Sequence, residues 1–210
     1  MDRGQAFPTY VAVVAGLLFL AFVYFVVGQA ALLRNGAQTA ADAAALGAAQ
    51  DARAQLREGW IDVIRDPAQW DRFVEGEAYM VDRACVKATV FASLNDAELS
   101  PEDCVPLEFG FAVTVHTKGT VGDSIVPGTA DRQAVASASA VIEPLCTFDP
   151  PEPSPEPDPS GTPSEEPDEE EPEPILGLFC NGKDWEIDPL VPALPEVDDL
   201  FRVRLTGDDE

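Results

Sequence analysis

Between Arg3 and Arg34 the chain carries no charged side chain, and residues 10–27 are apolar apart from the hydroxyls of Tyr10 and Tyr24. About 20 residues of helix cross the ~30 Å hydrocarbon core of a bilayer. No water is available there, so a helix is the form in which one segment satisfies its own backbone. Pro8 stands at the start, where its missing N–H costs least. Residues 7–33 therefore read as a transmembrane helix, preceded by a short cytoplasmic N-terminus over residues 1–6. The small residues of Gly28-Gln29-Ala30 would suit a signal peptidase. Yet the apolar run exceeds the ~7–15 residues of a secretory signal core, and one arginine precedes it, so the reading is an uncleaved anchor. Four cysteines and a long acidic segment suit an oxidising exterior, which puts the bulk of the chain outside the cell membrane.

Residues 34–66 continue in alanine. Alanine is the best helix former, and the two glycines up to Arg53, Gly36 and Gly47, are tolerable, so helix is predicted up to a stop at Asp66-Pro67. If continuous from Phe7, such a helix would be roughly 85 Å long. Ala41, Ala45, Ala48, Ala52 and Leu56 recur at steps of three and four, a narrow stripe that another helix can approach closely. An exposed alanine-rich stalk fits the same pattern. In the span itself Ala12 and Gly16 share a face and leave a notch for a neighbouring backbone, the kind of close packing on which helix association in lipid relies.

The short start Arg3-Gly4-Gln5-Ala6, the single span, and the run Arg34-x-x-x-Gln38-x-Ala40-Ala41-Asp42-Ala43-Ala44-Ala45-Leu46 resemble the N-terminal part of TadE/TadG-like proteins of the tight-adherence (Flp) pilus systems. The 29 alanines against three lysines are similar to members from high-GC actinobacteria. The resemblance implies a membrane-anchored, pseudopilin-like structural or assembly component whose partners are other membrane or pilus-assembly proteins, met through the N-terminal helix. In prepilin-like members a glutamate lies fifth after the processing glycine. Counting from Gly4 that position is Thr9, and the span has no acid. This chain departs from the prepilin pattern there.

The rest reads as a small α+β unit over residues 67–146. Trp70, Phe73, Val74, Met80, Val81 and Ala84 suggest a second helix running from about Ala68 to about Leu94. Phe109, Phe111, Val113 and Val115 alternate with small or polar residues, as do residues 133–142, which marks two strands. Residues 147–174 hold ten prolines and eleven acids with no basic residue, a composition too polar to fold, so a disordered linker is expected. Residues 175–210 regain apolar alternation and should pack back on the domain. Cys85, Cys104, Cys146 and Cys180 allow three pairings. They lack a C-x-x-C pair, which argues against zinc and for disulfides. Cys85–Cys104 is the favoured link, stapling the second helix to the first strand, and it leaves Cys146–Cys180 to pin both ends of the acidic excursion.

Charge excludes further classes. With 13 Lys and Arg against 38 Asp and Glu, the net charge of −25 repels nucleic acid. The single histidine, His116, cannot build a multi-histidine site, and no G-x-S-x-G, phosphate-loop or H-E-x-x-H motif occurs. No enzyme, cofactor or metal is expected. The alternative to a pilus role is an independent membrane-tethered envelope domain that binds a ligand through its β face. Mass spectrometry of the mature protein is expected to find the N-terminal span retained, and a chain beginning at Ala31 would overturn the anchor.

Overall fold

The structure, a computed structural model, describes residues 6–120, 131–149, 173–188, 190 and 193–207. Its axis is one helix, α1 (Ala6–Asp62), whose 57 residues make a rod of roughly 85 Å. The two halves of α1 live in different surroundings. Residues 7–32 are exposed apart from the half-buried Val26 and Gly28, with Phe7 at 75% and Tyr24 at 83%, so the described residues leave most of this apolar half uncovered. It is long and apolar enough to cross a membrane.

The second half is core. Ala37, Ala40, Ala41, Ala44, Ala45, Ala48, Ala49, Ala52 and Leu56 are fully buried. On one side lies α3 (Val81–Leu94), whose own buried residues are Ala84, Ala88 and Ala92, four apart. Alanine therefore faces alanine, and the two helices meet through their smallest side chains. At two glycines of this half, Gly47 and Gly59, an aromatic ring occupies the space. A Cβ on Gly47 would lie 2.4 Å from the Phe91 ring, and one on Gly59 would lie 2.3 Å from Phe73. The exposed stalk is thus corrected: α1 is the central helix of the domain, because its small side chains admit neighbours on two sides.

The neighbour on the other side is an antiparallel sheet. Its order is β1 (Ala97–Glu98), β3 (Gly110–Thr120), β4 (Gln133–Pro144) and β8 (Phe201–Thr206), with β2 (Cys104–Leu107) also paired to β3. The two-residue period sends Phe111, Val113 and Val115 of β3 inward beside Ala140, Ala138 and Ala136 of β4. Ala112, Thr114 and His116 take the outer face. Gly110 is required where β3 begins, at φ 152°, because a Cβ there would lie 2.1 Å from the Ala140 carbonyl oxygen. A second antiparallel sheet, β5 (Cys146–Phe148), β6 (Ile175–Cys180) and β7 (Lys183–Ile187), caps the far end of α1. Trp60 and Trp70 meet there at 5.3 Å between ring centroids, and Phe148 stacks on Trp70 at 4.7 Å. Asn181 and Gly182, both at positive φ, make the tight β6–β7 hairpin. The short helix α4 (Val197–Leu200) opens β8 with a capping box between Glu196 and Asp199.

Three expectations change in detail. The helix predicted from Ala68 to Leu94 is three pieces: a 3-10 turn at Pro67–Gln69, the single turn α2 (Asp71–Val74), and α3. Gly76 at φ 85° breaks the run between the last two. The expected linker begins later, because Thr147 and Phe148 belong to β5, and its residues 150–172 lie outside the described residues. The disulfides are Cys85–Cys104 and Cys146–Cys180. Cys104 opens a separate edge strand, β2, rather than the alternating strand after it. Separations of 19 and 34 residues make each bridge worth about 3–4 kcal/mol on the chain-entropy model.

If α1 is core, enlarging one of its alanines must be felt. Ala44→Leu is expected to lower unfolding stability by about 1–3 kcal/mol, read from tryptophan fluorescence in denaturant. An unchanged midpoint would contradict the packing described.

Candidate functional site

The residues singled out from sequence fall into two groups, one exposed to the surroundings and one spent on the fold. Ala12 and Gly16 lie on the exposed half of α1, and among the described residues nothing outside the helix's own backbone comes within 4 Å of where a Gly16 Cβ would stand. Their face is open to whatever surrounds that half. Ala41, Ala45, Ala48 and Ala52 are instead at zero exposure against α3 and the sheet. The expectation that this stripe extends a partner-contact surface beyond the span is therefore corrected, since its contacts are taken by the chain itself.

The motif between Arg34 and Leu46 has a clear mechanical meaning. Gln38 and Asp42 stand one turn apart, and Gln38 Nε2 donates to Asp42 Oδ1 at 2.9 Å and to the Ser137 carbonyl of β4 at 3.3 Å. Ala40, Ala41, Ala44 and Ala45 slide under the sheet with no exposure, while Ala43 and Leu46 are half-buried. Small apolar side chains thus set the depth at which the sheet sits on α1, and the Gln38 amide fixes its register along the helix. Arg34 is exposed at the junction of the two halves.

A second docking group lies two turns beyond that motif, at positions the sequence reading passed over. Gln55 is 6% exposed and receives the Met80 N–H at 2.8 Å while donating to Asp51 at 2.7 Å. It thereby holds the N-terminal end of α3 on α1. The only advance signal was the four-residue spacing of Asp51 and Gln55. Arg53 reaches Asp198 at 2.6 Å and ties α4 to the same helix.

Among the described residues no catalytic arrangement is assembled. The groove of about 440 Å³ between α1 and the segment before α3 is lined by Glu58, Arg72, Glu77, Tyr79 and Arg83 among others. Arg83 already faces Asp51 and Glu58, at 3.5 and 3.7 Å. Burial pushes the Tyr79 phenol above its usual 10, away from a role as a base near neutral pH. His116 sits on the outer sheet face between Glu98 and Val135. Among the described residues no three His, Cys, Asp or Glu side chains gather as metal ligands.

Removing the Gln38 amide should loosen the sheet from the helix. Gln38→Ala is expected to cost about 0.5–1.5 kcal/mol and to speed hydrogen exchange in β4. Arg34→Gln is expected to change neither, and equal effects from the two would sink the docking role.

Residues 4–51 match the family model described as putative Flp pilus-assembly TadE/G-like. The match covers the apolar half of α1, the Gln38–Asp42 pair and most of the buried alanines of α1, and it stops before Gln55. No curated protein and no solved structure matches the chain. The similarity to TadE/G-like proteins covers roughly the first quarter of the chain.

Proposed function

We propose that this TadE/G-like chain is a single-pass, pseudopilin-like structural or assembly component of a Tad/Flp-type pilus or secretion apparatus. In this reading α1 is anchored in the cell membrane with its N-terminus cytoplasmic and its α+β domain outside. The observation that carries the reading is the coincidence of the matched residues with the two jobs α1 does. They include the exposed apolar half and the buried alanines that join it to the domain. A pilus-assembly component needs such a coupling, since a neighbour gripping the span then positions the domain without a flexible joint.

Partner binding falls to the exposed half of α1, with Ala12 and Gly16 as the notch. In lipid no hydrophobic force favours one apolar helix over the surrounding tails, so association depends on close backbone approach at small residues. The domain contributes shape and charge rather than chemistry, and no catalytic role is assigned to it.

Co-purification from membranes with a polytopic assembly-platform protein or secretion ATPase tests the reading. Gly16→Leu is expected to reduce recovery of the partner several-fold, while deletion of residues 149–173 leaves it nearly intact. If the deletion abolishes recovery and the glycine substitution does nothing, the span is not the contact. Recovery of an envelope ligand with no assembly protein would favour the independent tethered domain instead.

A further inference from the structure

The lower end of the main sheet lies beside the end of the membrane half of α1. Gln38 bonds Ser137, which pairs with Thr114, so that point on the sheet is level with Gln38. Five residues further along β3, a Cβ on Gly119 would lie 3.9 Å from Leu33 Cδ1. Thr120 then pairs with Gln133, so the open end of the β3–β4 ladder stands at or just below the level of Leu33. Leu33 is the last residue of the uncharged run. A hydrocarbon core of ~30 Å takes about 20 residues, for instance 11–30, which leaves Leu33 about 4–5 Å beyond it. The headgroup layer is about 5–7 Å deep on each side. The end of the sheet and the headgroups therefore claim the same volume.

Resting on the transmembrane reading of α1, we propose that the domain is seated in the lipid headgroup layer through this end of its sheet. Arg34, Lys118 and Arg132 supply the contacts to lipid phosphate. All three are exposed, and Lys118 Nζ also donates to Ser93 at the end of α3, at 2.9 Å to its Oγ and 3.3 Å to its carbonyl. Among the described residues the acids at this end are Asp96 and Asp131, so cations outnumber acids here in a chain whose net charge is −25. An unbroken helix with no linker leaves the domain no means of standing off from the bilayer. The far sheet lies beyond Trp60, about 40 Å up the helix from Leu33. The chain thus has one wetted end and one seated end.

All four cysteines are in disulfides, so a single added cysteine takes a fluorophore cleanly. The full chain in phosphatidylglycerol-containing bilayers is labelled in turn at Gln133→Cys, at Asp184→Cys in the far sheet, and at Ala21→Cys within the span. Lipid spin-labelled on its headgroup is expected to quench the Gln133→Cys label at least two-fold more than the Asp184→Cys label. Equal quenching at these two sites, with the Ala21→Cys label quenched by acyl-chain spin label, overturns the seat and keeps the span. An Ala21→Cys label untouched by acyl-chain spin label overturns the span and the seat with it. R34Q/K118Q/R132Q is expected to reduce headgroup quenching at Gln133→Cys, and no reduction removes the phosphate contacts from the proposal.

Discussion

Everything in this molecule hangs on the close packing of small side chains along the second half of α1. Alanines every three or four residues let α3 approach on one side and the sheet on the other. Larger residues on the neighbours fill what remains, with Phe91 over Gly47 and Phe73 over Gly59. Each alanine removes little apolar area from water, so hydrophobic transfer is shared out over many positions rather than concentrated. The large contributions come from the far end, where Leu56, Trp60, Trp70 and Phe111 are buried. Two disulfides then restrain the loops that this small core holds least well.

The two halves of this helix differ in what covers them. Over residues 7–32 it is apolar and mostly exposed, the surface a lipid neighbour would suit. From Ala37 its side chains are small and point into protein. Helical hydrogen bonding runs through the change, between Leu33 and Ala37, without a proline or a break. The consequence for function is mechanical. A rotation or axial shift imposed on the apolar half passes directly to the domain, because Gln38, Gln55 and Arg53 fasten sheet, α3 and α4 to the same rod. That coupling links the packing to the assembly role proposed for the chain.

Much of this was legible in one dimension. Uninterrupted apolarity marked the span, and period-two alternation marked β3 and β4, because both are local consequences of how side chains leave a helix or strand. Cysteine spacing favoured the pairing found. The reading failed where local signals were balanced by distant ones. The apolar positions from Trp70 to Ala84 scan as one helix, yet Gly76 turns the chain so that α3 can lie antiparallel against α1, with Met80 on Gln55. The short strands β1 and β2 were missed because two or four residues carry no usable period, and both exist only by pairing with β3.

The sequence by itself determined that the chain has an apolar helix long enough to cross a bilayer, that helix continues beyond it, and that the remainder is α+β with paired cysteines. Those follow from composition and periodicity, which act over a few neighbouring residues. Only the tertiary structure decided what the alanine stripe is for. A stripe of small residues is equally fit for a stalk, a partner helix or a core, because smallness permits approach without choosing the neighbour. The choice was made by residues far along the chain, in α3 and the sheet, whose aromatic, alanine and strand surfaces fit the stripe and left none of it exposed.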